Sequence, residues 1–244
     1  MIIDGKEIAL QIRAKIKEEV TELRSKPGLA VVLVGENPAS KVYVNMKGIA
    51  CDDVGFYSER HNLPETVSEF ELINLIRKLN ENEAIHGILV QLPLPEHINE
   101  TEIINSIDPK KDVDGFHIEN VGKFHTNQTT LVPCTPLGVV ELLKQKNIEI
   151  SGKNVVVIGR SNIVGKPAAM LLLNEGATVT VCHSKTKNLS EHTLLADIIV
   201  VAVGFPKLLK KDMVKEGVVV IDVGVNKVDG KLCGDCDFEN LKDK

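Results

Sequence analysis

Tryptophan is absent from this 244-residue chain, and aromatic residues make up only 3% of it. The core must therefore be assembled from Ile, Leu, Val and Ala, which carry no polar handle to satisfy. No apolar run approaches the ~18 residues that a membrane-spanning helix needs, so no membrane role is expected. A cationic surplus is missing too. The formal net charge is −5, which gives no support for a nucleic-acid partner or a polybasic membrane anchor. The opening Met-Ile-Ile-Asp-Gly-Lys-Glu lacks the pattern of a signal peptide. The five cysteines are odd in number and scattered, as in a reducing compartment, and the expected location is the cytoplasm. Cys233 and Cys236 have redox or zinc spacing. One such pair supplies only half of a tetrahedral site, and this one follows a turn instead of opening a helix, so no metal is expected.

What is present is a regular alternation. Ile8, Ile12, Ile16, Val20 and Leu23 recur at helical spacing and predict a helix over 5–23, with Asp4 a plausible cap. Lys26-Pro-Gly28 stops it, and a strand over 29–34 follows. After the turn 35–38, a helix is expected from about Ser40, the candidate N-cap, to a stop at Gly55. A short strand over 56–61 precedes a capping box, Ser68-Glu-Phe-Glu71, that opens a helix to about Asn80. The apolar run 85–91 reads as a buried parallel strand. It is ended by Leu92-Pro-Leu-Pro95, and a short helix over 99–105 follows. Residues 111–117 read as a polar loop closing the first unit. Thr135-Pro136 then opens a helix over 137–146, expected to bridge the halves. In the second half, strands are expected at 154–158, 178–181, 197–203 and 217–222, and a helix over 165–175. Residues 188–196 read as mixed or helical, and a hairpin is expected around Asp229-Gly230. Such βα alternation predicts parallel sheets covered by helices. Residues 239–244 are charged and are expected to add little.

Between the strand ending at Ile158 and the helix from Gly165 lies Gly159-Arg-Ser-Asn-Ile-Val-Gly165. A glycine-bearing turn of this kind offers backbone N–H groups and a helix N-terminus to a pyrophosphate. It departs from the GxGxxG pattern, with Ser161 at the middle position, so its βαβ context carries the reading. A plain structural turn is the bland alternative. An NAD site usually places an acid about 20 residues further on, at the end of the second strand. Here that strand runs into Cys182-His-Ser-Lys-Thr186, which has none. A carboxylate there would repel a 2′-phosphate, whereas Ser184 and the guanidinium fork of Arg160 suit one, so NADP is preferred.

Tyr43 and Lys47 are four residues apart and share one helix face. A phenol and an amine at the exit of a strand suit proton transfer. Spacing alone favours a half-buried tyrosine beside a solvated lysine, because such pairs are common on helices. Gln91 ends the strand 85–91, and ligands of open α/β sheets bind beyond such ends. Asp114 lies in the loop closing the first unit. Taken singly, Gln91 is a strand-end hydrogen bonder and Asp114 a turn residue.

In order along the chain, Pro38-Ala-Ser-x-x-Tyr43-Val-x-x-Lys47, Gly87-Ile-Leu-Val-Gln91-Leu-Pro-Leu-Pro95 and Pro109-x-Lys-Asp-Val-Asp114-Gly-Phe-His117 are followed by Pro133-Cys-Thr-Pro136, the glycine turn and Ile221-Asp-Val-Gly224. Together they resemble the bifunctional methylenetetrahydrofolate dehydrogenase/cyclohydrolase family. The resemblance implies an α/β protein of two domains with a cleft between them. Residues 1–117 would be the catalytic, folate-binding domain with a mostly parallel sheet, and 118–244 a Rossmann-like NADP-binding domain. It implies oxidation of 5,10-methylenetetrahydrofolate by NADP, hydrolysis of the methenyl product to 10-formyltetrahydrofolate, and a homodimer. Lys47 would act in proton transfer around the attacking water, with Gln91 holding it. Tyr43 would orient the folate and Asp114 would bond the pterin edge, with Val90 and Leu92 also on the substrate. Gly159, Arg160, Ser161, Ser184 and Val225 would contact NADP. Hydride transfer needs no protein acid, because the substrate's own nitrogen drives iminium formation. Placing the nicotinamide against the folate carbon is the protein's main task there.

Two departures are visible. Ile49 stands where members carry a basic residue, which loosens the expected grip on the acidic folate tail. Members also continue beyond the equivalent of Phe238 with a glycine-rich loop and a further helix, whereas this sequence stops at Lys244. That favours, as an alternative, an inactive or nucleotide-sensing homologue. A different NADP dehydrogenase, such as one acting on an amino acid, would leave Tyr43, Lys47 and Gln91 without a role.

Overall fold

A computed structural model describes residues 2–244. The chain divides into two compact units, residues 6–132 in one and 133–244 with the N-terminal residues up to Gly5 in the other.

The first unit holds α1 (Gly5–Glu22, whose first residue belongs to the other unit), β1 (Gly28–Val34), α2 (Pro38–Val54), β2 (Tyr57–Leu63), α3 (Glu69–Glu81), β3 (Gly87–Val90), α4 (Glu100–Ser106) and α5 (Ile118–His125). Its three strands are parallel in the order β2-β1-β3. Alternation along β1 divides the core. Ala30, Val32 and Val34 face Leu72, Ile76 and Leu79 of α3 and Ile103 of α4, whereas Val31 and Leu33 join Leu89 against Val44 of α2. Burial on both faces is why β1 and β3 read as continuous apolar runs.

Local chemistry sets the ends of these elements. α2 begins three residues earlier than its sequence suggested. The cap is Asn37, whose Oδ1 accepts from Ala39 N and Ser40 N at 3.0 and 3.1 Å, with Pro38 at the first helical position. Ser40 is buried inside the helix. Gly55 ends α2 in the left-handed conformation, φ 87°. The Ser68–Glu71 capping box forms as expected. α5 had no sequence signal. His117 caps it, its Nδ1 accepting from Glu119 N at 3.1 Å.

The second unit holds α6 (Cys134–Gln145), β4 (Asn154–Ile158), α7 (Gly165–Asn174), β5 (Thr178–Cys182), α8 (Leu189–Thr193), β6 (Ile198–Val201), β7 (Val219–Asp222), β8 (Asn226–Val228), β9 (Lys231–Cys233) and α9 (Phe238–Leu241). Four strands form a parallel sheet in the order β5-β4-β6-β7. One face packs on α6 and α7 through Val139, Val140, Leu143 and Leu172, and the other on Ala196, Leu209 and Val214. α6 starts at Cys134, not Leu137. Pro136 therefore falls within the first turn, where its missing N–H costs no helical bond. β8 and β9 pair as the expected hairpin, with Asp229 and Gly230 both at positive φ, as a tight primed turn demands. The last residues contribute more than their charge suggested, because Leu241 joins the core.

Candidate active site

Both sheets place their first strand in the middle. β1 is flanked by β2 on one side and β3 on the other; the chain leaves β1 toward β2, whereas the segment after β3 returns on its far side, where Asp112 bridges to Ile88. A crevice opens beyond the strand ends at such a switch point. α2, which leaves β1, and Gln91, which follows β3, meet there.

The buried stripe of α2 is Val44, Gly48, Cys51 and Val54, facing the sheet. Tyr43 and Lys47 each precede a member of that stripe by one residue, which places them at its rim. Gln91 is fixed by its backbone N–H, which donates to Val32 O at 2.8 Å. Its side-chain nitrogen donates to Leu92 O at 2.8 Å, and its Oε1 accepts from Lys47 Nζ at 3.2 Å. The amide orientation is forced, since a carbonyl only accepts and an ammonium only donates. The Leu92–Pro93 peptide is cis. Val90 is buried in the sheet, while Leu92 is half-buried at its end. Tyr43 stands one turn from Lys47, 43% exposed, with no hydrogen-bond partner for its hydroxyl among the described residues.

Asp114 is brought to the same place by a loop with its own framework. Lys111 Nζ donates to the carbonyls of Leu79, Asn80 and Asn82 at 3.1, 2.6 and 2.9 Å, a cation on the C-terminal end of α3. Ile88 N donates to Lys111 O at 2.7 Å, which lays the loop along β3. Asp112 is buried, its Oδ2 accepting from His117 N and Asn120 Nδ2 at 2.8 and 2.9 Å. Asn120 in turn donates to Pro109 O and accepts from the Thr130 hydroxyl. Burial pushes the Asp114 carboxyl up from the usual range. The positive charge of Lys47 pulls it back in part, and Asp112 adds to the rise. An amine, an amide and a desolvated carboxyl thus share one crevice, as the sequence led us to expect. Spacing gives Lys111, Asp112 and Asn120 no such part. Their side chains act on distant backbone, and no spacing rule reports that.

In the second unit the switch point lies between β4 and β6. Gly159 follows β4 at φ 130°, and a Cβ there would come 2.3 Å from Ala202 O. A Cβ on Gly165 would come 2.3 Å from Gly159 O, so both glycines are required for α7 to start this close to the strand. Ser161 Oγ accepts from Val164 N and Gly165 N at 3.1 and 3.2 Å, leaving its own proton free to donate outward. Gly159 N donates to Cys182 O at 2.8 Å, tying the turn to the exit of β5. There His183 and Thr186 close a turn that presents Ser184 to solvent, with no acid in it. Arg160 and Val225 are exposed, Val225 at 61%. A glycine cradle that any side chain would fill, a free hydroxyl and an exposed guanidinium fit a pyrophosphate and a 2′-phosphate.

Cys236 is buried. Its thiol is pushed far up by burial and by the Asp222 and Asp235 carboxylates, so it is held as a hydrogen-bond donor. Among the described residues no group of three His, Cys, Asp or Glu side chains is disposed to hold a metal ion.

A parallel sheet with a glycine turn between strand and helix at its switch point, and no acid at the exit of the second strand, is the arrangement of a dinucleotide-binding unit that suits NADP. Comparison narrows the class. Residues 3–114 match the catalytic domain of tetrahydrofolate dehydrogenase/cyclohydrolase, and 133–244 match its NAD(P)-binding domain. The bifunctional protein FolD of Bacillus cytotoxicus is 60% identical across 100% of this chain and 86% of its own length. The crystal structure of the bifunctional FolD of Campylobacter jejuni superposes with a TM-score of 0.98 at 50% identity, covering 100% of this chain and 88% of that one. The Trypanosoma brucei FolD, solved with NADP and an inhibitor, gives 0.96 at 39% identity over 100% and 88%.

The chain belongs to the tetrahydrofolate dehydrogenase/cyclohydrolase family. Its activities are NADP-dependent oxidation of 5,10-methylenetetrahydrofolate to the methenyl form and hydrolysis of that product to 10-formyltetrahydrofolate. A match along the whole chain argues against the inactive or nucleotide-sensing alternative.

Proposed function

We propose that Lys47 is the proton-transfer group of the hydrolysis and that Gln91 sets its position. The observation that carries this is the 3.2 Å hydrogen bond from Lys47 Nζ to Gln91 Oε1 at the β1/β3 switch point. Water attacking the methenyl carbon must lose a proton, and the ring nitrogen that leaves must gain one. An amine held by one hydrogen bond has its remaining valences free for both transfers. Tyr43, on the same face and exposed, gives the folate ring a surface to lie on. Asp114, a desolvated carboxyl facing the charge of Lys47, bonds the pterin edge. Val90 and Leu92 shape the floor at the end of β3.

Gly159, Arg160, Ser161, Ser184 and Val225 hold NADP: backbone and hydroxyl on the pyrophosphate, guanidinium and Ser184 on the 2′-phosphate. When bound, NADP supplies the hydride acceptor. The chain's own part in that step is placement. The site's acidic substrate meets Ile49 where a cation is usual, 59% exposed, which loosens the hold on the folate tail. We place the enzyme in the cytoplasm as a homodimer. Light scattering during size-exclusion chromatography tests the dimer.

Lys47→Met tests the central assignment. Cyclohydrolase turnover should fall by about 10²- to 10³-fold, while hydride transfer, which asks no proton of the protein, falls far less. Equal loss of both activities would count against the role given to Lys47.

A further inference from the structure

Asp235 is fully buried, and among the described residues its carboxylate is met by N–H donors alone. One oxygen accepts from Val203 N and Gly204 N at 2.7 and 2.9 Å, and the other from Asn226 Nδ2 at 2.8 Å. Asp222, at the end of β7, answers it. Asp222 Oδ1 accepts from Gly224 N and Asp235 N, both at 3.0 Å, and Oδ2 from Cys236 N at 2.9 Å. Two glycines let the segments cross. A Cβ on Gly224 would lie 2.1 Å from the Asp235 carboxyl carbon, and one on Gly234 would lie 1.9 Å from Asp222 Oδ2. Each acid is thus seated over a glycine beside the other. Asp237 N and Leu209 N complete the tie through backbone bonds between 209 and 235–237.

Burying a carboxylate without a cation is costly, and a loop can usually be closed with backbone bonds alone. What the buried Asp235 carboxylate holds is therefore informative. Asp235 pins the 203–204 turn leaving β6 to the 224–226 segment leaving β7. Both segments leave the C-terminal ends of strands on one side of β4, while Ser184 leaves β5 on the other side. A dinucleotide with its pyrophosphate on the 159–165 turn and its 2′-phosphate toward Ser184 must run its nicotinamide half across the exits of β6 and β7.

We infer that Asp235, interlocked with Asp222, is a positioning residue that gives the nicotinamide half of the cofactor site its shape. The inference rests on the cofactor placement proposed above. Asp235→Ala removes both acceptor oxygens and leaves Val203 N, Gly204 N and Asn226 Nδ2 without their partner, so the 203–204 turn must then move. NADP should bind about tenfold more weakly to this variant by titration calorimetry. The 2′,5′-ADP fragment, which has no nicotinamide, should bind within about twofold of the parent, and so should cyclohydrolase kcat remain. A general loosening of the unit would weaken fragment and dinucleotide alike, so parallel loss overturns the inference, as does unchanged NADP affinity. Asn226→Ala removes one donor and leaves the 203–204 turn bonded. It should weaken NADP about threefold, and no change there also overturns the inference. Failure of the parent protein to bind 2′,5′-ADP overturns the placement itself and the inference with it.

Discussion

Asp114 carries the clearest physical signature of any single residue in the crevice. Its carboxyl is raised by burial first, lowered in part by Lys47 and raised further by Asp112. The folded chain therefore holds this proton more tightly than the unfolded chain does. The stability it contributes is complete below the ordinary aspartate range and is lost as pH rises through the raised value. Asp114→Asn should accordingly unfold at or above the parent's temperature at pH 7, with the advantage vanishing as the pH is brought below the usual aspartate range. Both folate activities should fall. A parent more stable than the variant at neutral pH would show that Lys47 outweighs desolvation. Sequence alone made Lys47, Gln91 and Asp114 legible, because each stands at a strand exit or in a loop where ligands bind. It gave Asp112 no role, because only tertiary structure turns that carboxyl onto Asn120 and His117 and leaves Asp114 beside Lys47.

Among the elements, α2 matters most, because it carries Tyr43 and Lys47. Its start rests on Asn37, which satisfies two of the N–H groups a helix leaves open. Asn37→Ala should cost about 1 kcal/mol in urea unfolding. Asn37→Asp should hold or gain, since an acid both caps and complements the helix dipole. If the two variants lose stability equally, the cap is not what holds this end. Strands and most helices were legible as runs of β-branched residues and capping patterns. The failures have local causes. Asn37 was passed over because Pro38 follows it, although proline suits the first helical position. α5 was hidden by Gly122 in its middle and by a histidine cap, which ranks low among cap residues. α6 starts before the expected Leu137 because Pro136 is its third residue and not its first.

The whole molecule sets a different problem, because a net charge of −5 opposes both an anionic cofactor and an acidic folate. Attraction must then be local. Around the glycine turn, Arg160, Lys166, Lys185 and Lys187 are exposed. At physiological salt, charges more than about 8 Å apart are largely screened. Contact cations therefore outweigh the distant negative surplus, and screening should weaken binding. NADP affinity should fall about three- to fivefold between roughly 0.05 and 0.5 M salt. The decline should be shallower for NAD, which lacks the 2′-phosphate, and shallower too for NADP with Arg160→Ala, because on the placement proposed above each removes one side of the same ion pair. Affinity that rose with salt would mean that the long-range repulsion prevails, and that Arg160 does not face the phosphate. The sign of the slope thus reports whether the cofactor is recognised at the turn or merely tolerated by the molecule as a whole.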